Sequence, residues 1–182
     1  SFQASFNNFP SLGTAIAEAW GLMPRLSGNL HYPSRPPEQS QLATECDWVG
    51  GACLLARRAA LDQVGLLDES YFMNSEEVDW AYRMQRGGWQ VWYTPDVQVI
   101  HVGGGSADRL SATQRARLYA GKVRFIQNRY GVRGAWLVKT NYRIASLIKA
   151  GIYALHYGLR RQAVDRNRAQ SHVQVALKRS WP

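Results

Sequence analysis

Asn74-Ser75-Glu76-Glu77-Val78-Asp79-Trp80 is the centre of the stretch, 47–106, on which the reading of this chain turns. Two adjacent carboxylates open a helix whose end is marked by Gly87-Gly88. Alternation of apolar residues then predicts two strands, 89–93 and 97–101, joined by a turn at Pro95-Asp96. Three glycines, Gly103-Gly104-Gly105, follow at once. Acids at a helix start, a His at a strand end and a glycine loop behind it are the parts of an active-site rim on an α/β scaffold. Each part has a plainer reading. Acids in a first turn complement the helix dipole, and Asn74-x-x-Glu77 has the spacing of a capping box. A functional carboxylate there is a general base taking a proton from a substrate hydroxyl. His101 is a satisfied polar residue or a neutral-imidazole metal ligand. The glycine run lacks the Lys-Ser/Thr of a phosphate-binding P-loop.

Upstream, residues 46–55 read as a buried strand broken by Gly50-Gly51. Trp48, Gly51 and Ala52 are either a binding floor, where backbone approaches a ligand, or a bulge in a core strand. Residues 57–64 form a short helix closed by Gly65, and Ser11 caps another over 11–20. The prolines at 33, 36 and 37 predict an extended loop. Cys46 and Cys53 lie seven apart, on opposite strand faces, and do not pair easily.

The charge divides the chain. The 182 residues carry net +9, but residues 1–108 hold 6 Lys/Arg against 12 Asp/Glu, and residues 109–182 hold 16 against the lone Asp165. An acidic part that suits a site is followed by a basic part, net +15, that suits an anionic surface. Helical periodicity runs over 110–128, breaks between Gly131 and Gly134, and resumes over 135–157. There Lys139, Arg143, Ser146, Lys149 and Tyr153 recur as one narrow polar stripe on a broad apolar helix. No uninterrupted apolar run of about 18 residues would cross a bilayer. A pI near 9.9 also invites a nucleic-acid-binding module, but no zinc-finger, RNP-like or KH-like loop is present.

In their order, Asp47-Trp48-Val49-Gly50-Gly51-Ala52, Val64-Gly65-Leu66-Leu67-Asp68-Glu69, Glu76-Glu77-Val78-Asp79-Trp80-Ala81-Tyr82-Arg83, Gly87-Gly88-Trp89 and Val99-Ile100-His101-Val102-Gly103 resemble family 2 glycosyltransferases, nearest the bacterial rhamnosyltransferase-like subgroup. The likeness covers roughly residues 1–150. It implies an α/β chain that is the C-terminal half of a GT-A (nucleotide-diphospho-sugar transferase) fold, with a helical basic C-terminal extension. Residues 1–108 would be the acceptor-side half of the catalytic domain and 109–182 the extension. The nucleotide-binding strands and their Asp-x-Asp would lie upstream, so this stretch alone would not turn over. The resemblance makes Glu77, or its neighbour Glu76, the base; Glu77 stands where the family usually has Asp. It makes His101 a ligand of Mg²⁺ or Mn²⁺, and Asp47, Trp48, Gly51 and Ala52 part of the acceptor site.

The implied reaction is inverting transfer from a nucleoside-diphosphate sugar to a hydroxyl of a lipid-linked saccharide, in surface polysaccharide synthesis such as that of O-antigen. The implied place is cytoplasmic, peripheral on the inner face of the cytoplasmic membrane, with 135–157 on anionic lipid. Packing of that helix on protein, including a second copy in a homo-oligomer, is the alternative. A basic membrane- or nucleic-acid-binding module without catalysis is the competing class; nucleic acid is not the partner expected.

Overall fold

A computed structural model describes residues 6–22, 42–71, 75–100 and 112–177. The elements run β1 (Phe6–Asn7), α1 (Leu12–Ala19), β2 (Thr44–Glu45), β3 (Trp48–Val49), α2 (Arg58–Val64), α3 (Glu76–Arg86), β4 (Trp92–Tyr93), α4 (Ala112–Arg160) and α5 (Ala163–Leu177). The result is mixed α/β, mostly helical, with small sheets. The elements gather into two compact units: the four strands with α2 and α3, and the three helices α1, α4 and α5.

In the first unit β1 pairs antiparallel with β3, Phe6 opposite Val49 and Asn7 opposite Trp48. β2 pairs antiparallel with β4, Thr44 opposite Tyr93 and Glu45 opposite Trp92. The Phe6 and Tyr93 rings, 4.6 Å apart, bring the two pairs together. Helix α3 buries Val78, Ala81 and Met84, three apart, as one face. Its end packs on the end of α2, and a Cβ at Gly87 would stand 3.1 Å from Val64 Cγ1, a contact that would push Val64 aside by a few tenths of an ångström. Gly65 closes α2 at φ 78°, in the left-handed region that glycine enters freely.

The strands are shorter than the alternation predicts. Of 46–55 only Trp48–Val49 pairs, and residues 51–55 are exposed. Gly50-Gly51 turn the chain away after β3. Of 89–93 only Trp92–Tyr93 pairs, because β2 offers two residues to pair with. Residues 97–100 form no strand, and Val97, Val99 and Ile100 are exposed. The Pro-rich loop at 33–37 lies outside the described residues.

The second unit is a helical hairpin with a short helix laid on it. Ser11 caps α1 as expected: Thr14 N–H donates to Ser11 Oγ at 3.1 Å, and Ser11 N–H donates to Thr14 Oγ1 at 2.8 Å. Helix α1 is tied to α4 by Lys122 on Glu18 and by the Trp20 indole N–H on Asn141 Oδ1 at 2.9 Å. Val123, Ile126, Val138, Tyr142 and Val175 are fully buried, and the Tyr119 and Tyr142 rings stack 4.2 Å apart. The expected break of α4 narrows to Gly131, at φ 75° and ψ −178°. Gly134 stays helical, and a Cβ there would lie 2.8 Å from Tyr130 Cβ, closer than carbons approach, and 3.4 Å from Leu12 Cδ2 of α1. Helix α5 returns along α4 after Arg161 (φ 51°); its polar, basic composition masked it.

The facing of α4, which periodicity leaves open between lipid and protein, is fixed in the structure. Beyond Gly131 it buries Ala135, Val138, Tyr142, Ala145, Ser146 and Ala150. Lys139, Arg143, Lys149 and Tyr153, the polar stripe, are half-buried on that inward side. Tyr153 stacks on His172 of α5 at 5.7 Å, with the Arg168 guanidinium 5.6 Å from its centroid. The apolar residues Trp136, Leu137, Ile144, Leu147, Ile148, Ile152, Leu155 and Leu159 are exposed. Small side chains at 135, 145 and 150 let α5 close on the inward face, and bulkier Ile and Leu residues are left outside.

This orientation makes a direct prediction. Ile126→Ala, in the core, should cost about 2–5 kcal/mol, whereas Ile148→Ala, on the outer face, should stay within about 0.5 kcal/mol in the same thermal or urea denaturation.

Candidate active site

Three acids fall in the first turn of α3, Glu76, Glu77 and Asp79, and their surroundings differ. Asp79 is 3% exposed and fully engaged. Its Oδ1 accepts from the Tyr71 hydroxyl at 3.2 Å and its Oδ2 from Arg83 Nε at 2.9 Å. Arg83 also donates to the carbonyls of Val64 and Leu66. The Trp80 indole N–H donates to the Gly65 carbonyl at 2.9 Å. Together these bonds clamp the α2–α3 connection onto the helix that carries the acids. Sequence reasoning passed over this clamp, although Asp79 and Arg83 stand at the i, i+4 spacing of a helical ion pair.

Glu76 and Glu77 are not used in that way. Both are half-buried, and the Oε2 of each is shielded from solvent with no hydrogen-bond partner among the described residues. Burial raises the Glu77 carboxyl above its ordinary 4.5, backbone N–H groups at the helix start oppose the rise, and the Glu76 charge adds to it. The helix is capped at Ser75, which sits at φ 78° and makes no side-chain cap bond. Glu77 is therefore the second helical residue, not the third that a capping box requires. Asn74, the other half of the expected box, lies outside the described residues. A buried carboxylate oxygen without a partner is costly to a fold and useful to a proton acceptor.

The residues expected on the acceptor side are held mainly by the scaffold. Asp47 Oδ2 accepts from Phe9 N–H at 2.6 Å, and the Trp48 indole N–H donates to the Asn8 carbonyl at 3.0 Å. Gln85 of α3 donates to the carbonyls of Cys46 and Asp47 at 3.1 and 3.2 Å. Phe9 meets Tyr82 of α3 edge-on at 5.4 Å. Asp47 and Trp48 are thus tied to α3 near Gln85, roughly two and a half turns along the helix from Glu76. Gly51 and Ala52 are exposed in the turn after β3, and no atom lies within 4 Å of where a Gly51 Cβ would stand. That opening leaves backbone accessible to a ligand.

Cys46 and Cys53 are free thiols. Burial, with the Asp47 charge beside it, pushes the Cys46 thiol up to about 11, so it is no nucleophile at neutral pH. His101 and Gly103-Gly104-Gly105-Ser106 lie outside the described residues. Among the described residues no group of three or more His, Cys, Asp or Glu could hold a metal ion. They do not by themselves make a site for Mg²⁺ or Mn²⁺.

Two predictions follow from the contrast between the acids. Asp79→Asn should destabilise by about 2–4 kcal/mol, less than the full penalty for a broken buried pair because Arg83 is 31% exposed. Glu77→Gln should do the opposite. A carboxyl whose folded pKa lies above its unfolded one loses stability as pH rises through that interval, so the ionised group is a liability at neutral pH. The variant should melt at or above the parent at pH 7, and the difference should close below pH 4.5.

No family model matches the chain, and no solved structure does. Curated proteins do. The chain is 38% identical over 89 residues to N-acetylglucosaminyl-diphospho-decaprenol L-rhamnosyltransferase of Mycobacterium tuberculosis, in strains CDC 1551 and H37Rv, covering 49% of this chain and 28% of the relative. It is 27% identical over 95 residues to the low-salt glycan biosynthesis hexosyltransferase Agl10 of Haloferax volcanii, covering 52% of this chain and 28% of that protein. The match spans less than a third of the length of these relatives. The likeness to bacterial family 2 glycosyltransferases, read first from the order of residues 46–106, is upheld by proteins that transfer rhamnose and hexose.

Proposed function

We propose that this chain is the acceptor side of a glycosyltransferase of GT-A architecture, and that Glu77 is its general base. The supporting observation is a pair of desolvated carboxylate oxygens at the start of α3, one on each Glu, without a hydrogen bond among the described residues, beside an acid of the same turn that is fully bonded. In the proposed reaction the acceptor hydroxyl gives its proton to Glu77 as its oxygen attacks the anomeric carbon of a nucleoside-diphosphate sugar. The bond from that carbon to the diphosphate oxygen breaks on the opposite face, the nucleoside diphosphate leaves, and the stereochemistry inverts. A single displacement needs one base, not the carboxylate pair of a glycosidase. Glu76 keeps Glu77 poised by like-charge repulsion.

The relatives point to the substrates. One is named for a diphospho-decaprenol acceptor and a rhamnosyl donor, so we take the acceptor here as a polyprenyl-diphosphate-linked saccharide and the donor as a nucleoside-diphosphate hexose or deoxyhexose. With such an acceptor we take the reaction to occur at the cytoplasmic face of a membrane. Asp47, Trp48, Gly51 and Ala52 are proposed to border the acceptor, Gly51 through the open space beside its backbone. Dependence on Mg²⁺ or Mn²⁺, with His101 as a ligand, is proposed on the resemblance alone. The competing reading, a basic nucleic-acid-binding module, has no recognition motif in its favour.

The test is transfer of labelled sugar to a polyprenyl-diphosphate-linked acceptor by the complete enzyme. Glu77→Gln should lose about 10²–10⁴ in kcat with donor binding retained, and Glu76→Gln should lose less. The acid limb of the pH–rate profile should lie above the ordinary glutamate value of 4.5, because the raised carboxyl must ionise before it can act. Full activity in both variants would overturn the assignment, and loss confined to Glu76→Gln would move the base by one residue.

A further inference from the structure

The outer face of α4 is apolar along its whole second half. From 134 to 159 every exposed position is apolar or glycine: Trp136, Leu137, Ile144, Leu147, Ile148, Gly151, Ile152, Ala154, Leu155, Gly158 and Leu159. From Ile144 to Leu159 they recur at spacings of three and four and form one stripe, roughly 22 Å long at the helical rise, with Trp136 and Leu137 two turns before it across the half-buried Thr140 and Asn141. The exposed cations Arg133 and Arg160 bound it at its two ends. Soluble monomers rarely leave a patch of this extent uncovered.

We propose that this face docks on an anionic lipid surface, the helix lying in the plane of the bilayer interface with Trp136 through Leu159 turned into the acyl boundary. Charge selects this occupant. Residues 109–182 carry net +15, and their one acid, Asp165, is 8% exposed. Two copies meeting through the stripe would bring two strongly positive bodies together, with Asp165 buried and Glu18 of α1 already held by Lys122. Anionic headgroups supply that offset, and Arg133, Arg160 and Arg161 are exposed to meet them. No described helix is long and apolar enough to cross a membrane, which fits a helix that lies on the surface. Lys139, Arg143 and Lys149 are half-buried toward the hairpin interior and are not the headgroup contacts. The inference stands apart from the transferase reading, since it rests on α4 and its charge alone.

The test is flotation of the full chain with vesicles of phosphatidylcholine, alone or mixed with phosphatidylglycerol. The parent should float with the mixed vesicles and weakly with phosphatidylcholine alone. Ile144→Asp/Ile148→Asp, and separately Leu155→Asp/Leu159→Asp, should lower partitioning by roughly 100-fold or more, with circular dichroism and melting temperature unchanged. These side chains are 46–75% exposed, so the fold should tolerate the changes. Arg133→Ala/Arg160→Ala should weaken binding to the mixed vesicles and leave the residual binding to phosphatidylcholine as it was. A parent that does not float, aspartate variants that bind like the parent, or a sedimenting dimer that the aspartate variants dissolve would each overturn the proposal; the last would assign the stripe to a second copy.

Discussion

Arg83 holds the acidic unit together. Its guanidinium meets the Asp79 carboxylate and two carbonyls of the α2–α3 connection, while the Tyr71 hydroxyl takes the other oxygen of Asp79. A planar guanidinium with several fixed donors can join a helix to a turn in this way, and a lysine could not. Asp79 takes the clamp, and Glu76 and Glu77 take no part in it. They sit in the same turn, half-buried, with one oxygen of each left without a hydrogen bond among the described residues. One carboxylate stabilises the fold, and its neighbours keep the higher energy that proton transfer can draw on.

The helical unit follows a different constraint. Helix α5 closes on the face of α4 that carries alanines, Ser146 and a stacked pair of aromatic rings. Close approach there gains dense packing and shields part of the Lys and Arg stems. The cost is that Ile and Leu side chains which a simple hairpin would bury are turned out. Such an arrangement makes sense when the outer face has its own medium.

The sequence by itself determined α1, α2 and the end of α3. Ser11 before Leu12, Gly65 after Val64 and Gly87 after Arg86 are signals written in a few adjacent residues, and the structure obeys them. The ordered motifs from 46 to 106 also carried the family likeness, since motif order survives without tertiary contacts. The break in α4 was legible too, because a glycine at φ 75° is a local property.

Tertiary structure decided what depends on partners. Strands 46–55 and 89–93 shrank to two residues each, because a strand exists only as far as another pairs with it. Glu77 became a desolvated acid at the second helical position, still meeting backbone N–H groups at the helix start, when Ser75 took the cap position, which the spacing of Asn74 and Glu77 could not reveal. The facing of α4 was left open for the same reason. Periodicity shows that a helix has two faces, but only the helix that packs against it, here α5, determines which face is inside.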